Sequence, residues 1–306
     1  MKKKLIALWL VCVMTISLMG CGSNTTNVEN LSTATEMDTQ CPSTAVGLNW
    51  EIKQTENTKE KINMTGFFDE NYGISGGYNG KIVYTKDGGK TWNDGANKSF
   101  CRFGIEILNK KVAYTCGNGG HITKTTDGGK NWSKKKSFGD MEPNQCRILS
   151  FVDEKLGMVA SAESLAITED GATSWAELNA PTDIIGLKLT ANNVCYILGK
   201  DNIIFISKDK GQTWDKVEMH LPENTIYKTD LNSATFNMDE NGKGELYCLN
   251  KDGGIMSLST TDNCKTWTSN PMPETKGYEY IYLSKDAKTL TLNTLRGDAI
   301  SVLIRK

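Results

Sequence analysis

Thr85-Lys-Asp87-Gly-Gly89-Lys-Thr-Trp92 decides how this chain is read, because the same figure returns four more times. The later copies are Thr125-Thr-Asp127-Gly-Gly129-Lys-Asn-Trp132, Thr168-Glu-Asp170-Gly-Ala172-Thr-Ser-Trp175, Ser207-Lys-Asp209-Lys-Gly211-Gln-Thr-Trp214 and Thr260-Thr-Asp262-Asn-Cys264-Lys-Thr-Trp267. Their tryptophans stand 40, 43, 39 and 53 residues apart. Repetition at that period marks a propeller of four-stranded blades. The figure has a physical logic of its own. An Asp side chain accepts from backbone two residues on and fixes a tight turn. The Ser or Thr hydroxyl adds a second local bond. Gly at the fifth position takes a positive φ that a Cβ would penalise. Trp then opens the next strand and is expected to bury its large apolar area within its own blade. Ala172 and Cys264 stand where Gly is expected, so those two turns are expected to be looser or differently shaped.

Three strand signals precede each figure. In the third unit they are Arg147–Val152 (strand A), Gly157–Ala160 (B) and Leu165–Ile167 (C), with Trp175 opening strand D. Short strands with turn residues at regular intervals read as meander sheets. Counting from Trp to Trp gives units 51–92, 93–132, 133–175, 176–214 and 215–267. Two remnants complement each other. Tyr280–Leu283, Thr289–Leu292 and Ala299–Leu303 read as three strands without a box, and Trp50 reads as a lone strand D. The N-terminal strand around Leu48 to Ile52 is therefore expected to complete the last blade and cover the open sheet edges. The fold class is all-β, a six-bladed propeller. Seven blades is the alternative, with a degenerate blade inside the long fifth unit around His220 to Asn232.

The propeller is expected over 48–306. Lys2, Lys3 and Lys4 precede an apolar run from Leu5 to Met19. That is a charged n-region with an h-region of signal-peptide length. It ends in Leu18-Met-Gly-Cys21, which resembles a bacterial lipoprotein signal with Cys21 as the lipidated mature N-terminus. The segments are then a signal over 1–20 and a Ser/Thr/Asn-rich tether over 21–47, too poor in apolar residues to offset its ordering entropy. The expectation is an exported protein, held on the outer face of the bacterial cell membrane by the lipid.

The first 20 residues carry three lysines and no acid, so their removal takes the formal charge from −1 to −4. Mild acidity argues against a nucleic-acid partner. Beyond Cys12 in the signal and Cys21 at its end, seven cysteines remain, an odd number. Cys195 and Cys248 hold equivalent repeat positions on separate sheets, so that pair is not expected to bridge. No CxxC or Cys/His spacing suggests a metal, and no loop suggests a cofactor.

In a propeller the D-to-A connections and B-to-C turns share one face, opposite the box turns. Arg102 and Arg147 begin strand A in successive blades. Arg296 lies in the last B-to-C turn, His121 follows Gly117-Asn-Gly-Gly120, and Lys134, Lys135 and Lys136 begin the connection into the third blade. Arginine forks match carboxylate or phosphate, which makes Arg102, Arg147 and Arg296 candidates for an anion site. The alternative is that Arg102 and Arg147 pair with strand acids such as Glu106 or Asp153. Tyr78 or Tyr114 stacking on a sugar is a further reading, against Gly and Asn merely satisfying tight turns.

The pattern S/T-x-D-x-G-x-x-W resembles the Asp-box, or bacterial neuraminidase repeat, over roughly residues 50 to 306. In that family the boxes sit on the blade rims, away from the binding face, which implies a structural role for the five Asp and five Trp. The unit as a whole resembles the photosystem II stability and assembly factor family of propellers. That resemblance implies a non-enzymatic binding or assembly module whose arginine-lined face contacts a protein partner, carried here by Arg102 and Arg147. The sialidases share the six blades and the boxes. They require three arginines on a carboxylate, a Tyr-Glu pair, a catalytic Asp and an early Arg-Ile-Pro. The last is absent here, and Ile62 to Tyr84 holds no arginine. Binding of a protein or glycan is the first reading, and sialidase-like or other glycoside hydrolysis the second.

Overall fold

In the computed structural model the described residues are 49–57, 62–77, 80–96, 100–135, 137, 146–294 and 299–306. The signal, Cys21, the tether, Tyr78, Lys136 and Arg296 lie outside them. The opening strand β1 is Trp50–Asn57. Blade 1 is β2 Ile62–Phe67, β3 Gly73–Gly77, β4 Ile82–Thr85 and β5 Asn93–Asp94. Blade 2 is β6 Arg102–Ile107, β7 Ala113–Gly117, β8 Ile122–Thr125 and β9 Ser133–Lys134. Blade 3 is β10 Ile148–Phe151, β11 Gly157–Ala160, β12 Leu165–Thr168 and β13 Ala176–Leu178. Blade 4 is β14 Gly186–Leu189, β15 Cys195–Leu198, β16 Ile203–Ser207 and β17 Asp215–Glu218. Blade 5 is β18 Ala234–Met238, β19 Gly244–Leu249, β20 Ile255–Thr260 and β21 Thr268–Asn270. β22 Tyr280–Leu283, β23 Thr289–Asn293 and β24 Ala299–Arg305 make three strands of blade 6.

β1 supplies the fourth strand of blade 6, in the sheet order β1-β24-β23-β22. It pairs antiparallel with β24 from Trp50↔Arg305 to Asn57↔Ala299. The first strands touch their neighbours all the way round, β2 with β6, β6 with β10, and so on to β22 with β2. Six blades thus close a ring, and no sheet edge of the sequence ends is left open. The stretch His220 to Asn232 builds no seventh blade. It forms two isolated bridges, His220↔Thr266 and Tyr227↔Asn250, and then crosses the channel.

The first four box turns follow one hydrogen-bond scheme. Thr85 Oγ1 donates to Asp87 Oδ1 at 2.8 Å and accepts from Gly89 N at 2.9 Å. Asp87 accepts from Thr91 N at 2.9 Å and from Thr91 Oγ1 at 2.6 Å. These bonds pull the Asp87 pKa down to about 2, Thr91 contributing most. Box three keeps this shape instead of loosening, while box five keeps the bonds of Asp262 with Thr260 and Thr266 but shows no bond from Cys264 N to Thr260 Oγ1. Ala172 and Cys264 take φ of 65° and 66°, and Ala172 N reaches Thr168 Oγ1 at 2.9 Å, as a glycine would. In box three the hydroxyl and carboxylate hold the turn firmly enough to impose the left-handed conformation on Ala172.

The tryptophans pack differently from expectation. Each joins a cluster shared with the preceding blade. Trp132 lies with Met64, Ile74 and Ile82 of blade 1, and Trp267 with Tyr196 and Ile204 of blade 4. Trp175 and Trp214 pack against blades 2 and 3 in the same way, and Trp92 against Ile300 and Val302 of blade 6. Trp50 stands edge-on to Tyr247 of blade 5, with ring centres 5.6 Å apart. Trp132 and Trp267 are buried and the other three box tryptophans half-buried. The repeat therefore glues blade to blade, which a single-blade view of the motif misses.

Candidate functional site

The A strands alternate, one side chain to the blade interface and the next to the channel. Glu106, Ser150, Lys188 and Tyr282 occupy the same step of blades 2, 3, 4 and 6 and line a channel cavity of about 70 Å³. Gly66 takes that step in blade 1. A Cβ there would stand 2.9 Å from the Tyr282 ring, so the glycine makes room for the tyrosine. Tyr282 Oη accepts from Ile107 N at 3.2 Å. Glu106 is 8% exposed, and burial pushes its pKa up to about 7 against the pull of Lys188 and Lys285. Glu106 is the sole carboxylate among the residues described as lining this cavity.

A β-bulge between Arg102 and Gly104 separates two neighbours that regular pairing would place differently. Arg102 turns into the seam between blades 1 and 2. Phe103 stays half-buried at the channel mouth. Arg102 is wholly buried. Its Nη1 donates to Gly80 O at 2.6 Å and Phe100 O at 3.3 Å, and its Nε to Thr115 Oγ1 at 3.3 Å. The guanidinium lies 4.5 Å from the Phe100 ring centre. Gly76 leaves space for the stem, since a Cβ there would meet Arg102 Cδ at 3.1 Å. Burial lowers the Arg102 pKa to about 10, so it remains charged at neutral pH. The expected accessible ligand arginine is a buried fastener, holding carbonyls rather than Glu106 or Asp153.

Arg147 answers the expectation better in position. It is half-buried, lines the mouth, and its guanidinium lies 4.6 Å from the Phe103 ring centre. Asn232, from the long loop between β17 and β18, spans the same mouth. Its Nδ2 donates to Arg147 O at 2.8 Å and to Phe103 O at 3.4 Å. Its own backbone bonds Ile185 O at 3.3 Å and Ile281 N at 3.0 Å. One residue thus ties blades 2, 3, 4 and 6. The only sequence signal for it was the 53-residue spacing of the fifth unit.

His121 is half-buried near Arg102, not beside Arg147. Its Nδ1 shares a 2.8 Å hydrogen bond with Ser137 Oγ, and its ring sits 5.3 Å from Phe100. Burial and then the Lys134 charge lower its pKa, so the ring is neutral at pH 7. Tyr114, considered for sugar stacking, is fully buried. It stacks on Phe151 at 3.9 Å and donates to Glu154 O at 2.8 Å. Cys101, Cys116, Cys146, Cys195, Cys248 and Cys264 are all free thiols, including the Cys195 and Cys248 pair. No group of three His, Cys, Asp or Glu with metal-binding geometry occurs among the described residues. No described helix is long and apolar enough to cross a membrane.

The model of the family described as Photosynthesis system II assembly factor YCF48 matches residues 43–182. No curated protein matches the chain in sequence. Among solved structures, YCF48 bound to D1 peptide is similar at 14% identity and a TM-score of 0.55, covering 86% of this chain and 97% of that one. YCF48 from Cyanidioschyzon merolae is similar at 14% identity and a TM-score of 0.54, covering 84% and 98%. An ancestral GH74 enzyme aligns at 12% identity and a TM-score of 0.52, over 78% of this chain but 36% of that enzyme. The five boxes, the six blades closed by β1 and these likenesses make this chain a β-propeller of the Asp-box, bacterial-neuraminidase-repeat type, similar to the photosystem II assembly factor YCF48.

Proposed function

We propose that this chain is a non-enzymatic binding or assembly module that takes a partner protein segment at the channel mouth opposite the box turns. The observation that carries the reading is the Arg147–Phe103 pair. A half-buried guanidinium over an aromatic ring sets a cation beside an apolar anchor at the mouth. Tyr280 and Thr235 extend that surface. A YCF48 structure carrying a D1 peptide supports a peptide-binding role for the architecture. The test is a photo-crosslinking residue at position 103 in the full chain, compared with one at Thr173 in a box turn. Adducts with source-cell proteins are expected from 103 and should fade in Arg147→Ala. Equal yield from both positions overturns the reading.

Glycan binding or cleavage is the second reading, favoured by the aromatics Phe103 and Tyr280 at the mouth and by the GH74-like fold. Paired-carboxylate hydrolysis needs a second acid, and Glu106 has no carboxylate beside it in the cavity lining. Turnover of sialosides or other glycosides that disappears in Arg147→Ala would promote this reading. We further propose that Cys21 is lipidated and holds the protein on the outer face of the cell membrane, on the strength of Leu18-Met-Gly-Cys21 after an apolar run. Cys21→Ser should abolish lipid labelling; a processed, membrane-retained Cys21→Ser protein counts against it.

A further inference from the structure

We propose a second binding site, on the box-turn face: a lysine-lined groove between blades 1 and 2 that takes a phosphate-type oxyanion of two or more charges. The groove encloses about 600 Å³. Its walls are the A-to-B turns and the box turns of the two blades, carrying Lys86, Lys110, Lys111 and Lys130. Lys110 is held by Asp69 at 2.5 Å. Lys111 and Lys130 make no direct ion pair among the described residues, although the Lys130 charge acts on Asp127, and Lys86 overlies the Tyr84 ring at 6.0 Å. Asp127, the acid on the groove wall, is already committed. Its Oδ1 accepts from Thr125 Oγ1 and Asn131 N, both at 2.9 Å, and its Oδ2 from Asn131 Nδ2 at 2.7 Å. Four lysines against the carboxylates of Asp127 and Asp69 leave an excess of two positive charges among these residues, a field complementary to a multiply charged anion.

The groove lining supplies an independent observation. Tyr72 is 3% exposed, and its hydroxyl has no hydrogen-bond partner among the described residues. It lies under Gly128, 3.7 Å from where a Cβ on that glycine would stand. Two other buried tyrosines are satisfied across blade seams, Tyr114 by Glu154 O at 2.8 Å and Tyr196 by Asp239 O at 2.7 Å. Burial and then the Asp127 charge hold the Tyr72 pKa above its ordinary value, so the hydroxyl keeps its proton. A buried donor left unpaired is costly, and an incoming oxygen that accepts from it recovers that cost. Lysine ammonium groups act as point charges suited to compact phosphate, whereas a carboxylate is matched best by an arginine fork, which this groove lacks. The site lies on the face opposite Arg147, so it stands or falls apart from the channel-mouth reading.

The experiment uses the full chain and inorganic pyrophosphate, read by calorimetry and thermal shift. Pyrophosphate is expected to bind and to raise the melting temperature. Lys111→Ala/Lys130→Ala should weaken binding about tenfold or more, as expected for two lost charge-assisted contacts. Tyr72→Phe should weaken it several-fold while leaving the free protein as stable as before or more so, because the unpaired hydroxyl is gone. Arg147→Ala should leave it unchanged. Vesicles of phosphatidylglycerol, against phosphatidylcholine, form the second arm. Capture by the anionic vesicles alone, lost in the double lysine variant, assigns the oxyanion to a lipid headgroup. Failure of both probes to bind, or binding that ignores the lysine variant, overturns the site.

Discussion

Asn232 Nδ2 donates to the carbonyl of Arg147 at 2.8 Å, across the mouth of the channel. Asn232 holds φ at 65°, a conformation Asn tolerates better than most residues with a side chain. Two substitutions separate the two contributions. Asn232→Gly keeps the backbone conformation and removes the side-chain bonds, and should cost about 1 kcal/mol. Asn232→Ala adds left-handed strain and should cost about 1 kcal/mol more. Chemical denaturation of both variants checks this: a glycine variant as stable as the parent counts against the crossbar, and one less stable than the alanine variant counts against the left-handed strain.

Arg102 should behave as part of the core, not of a binding surface. Arg102→Ala leaves the carbonyls of Gly80 and Phe100 short of a donor and opens space beside Gly76. The expected loss is on the order of 3 kcal/mol. Arg147→Ala, on the half-buried rim, should lose about 1 kcal/mol or less. Melting temperatures of the two variants side by side decide the matter, and equal small losses would return Arg102 to the surface.

Box four tests the turn itself. Lys210 takes φ of 60° where the first three boxes have glycine. Lys210→Gly relieves that conformation and should stabilise by about 1 kcal/mol. The variant also loses the exposed ion pair with Glu169, which is worth little in water. Glu169→Ala measures that loss alone, so the gain from the backbone can be read by difference in a thermal melt.

The boxes announced the fold because each is a local device, hydroxyl, carboxylate, left-handed turn and ring, whose parts are adjacent in sequence. Trp50 also gave away the closure, since a box-spaced Trp without a preceding blade needs strands from the other terminus. The side-chain directions were not legible in the same way. Arg102 and Arg147 look equivalent as strand starts, yet the bulge before Gly104 sends one into a seam. Gly76, across that seam, carried the only hint. Asn232 acts through a loop over 80 residues away in sequence from Arg147, and no local pattern encodes such a contact. The motif shows only the turn each tryptophan follows, not the neighbour it faces, so its local pattern points to the wrong blade.

Glu106 gives the protein a pH dependence of unusual sign. Its carboxyl is buried in the channel, which raises its pKa from 4.5 to about 7, while Lys188 and Lys285 act in the opposite direction. The folded state then binds the proton more tightly than the unfolded chain. Stability from this group is fully present below the unfolded value near 4.5 and is lost as pH rises through about 7. The difference corresponds to something on the order of 3 kcal/mol across that window. Glu106→Gln cannot ionise and should flatten the profile, leaving the variant more stable than the parent at pH 8 and little changed at pH 4.5. Denaturation midpoints of both proteins between pH 4 and pH 8 test this. Parallel profiles would show that burial does not raise the Glu106 pKa in the folded protein and would overturn the prediction.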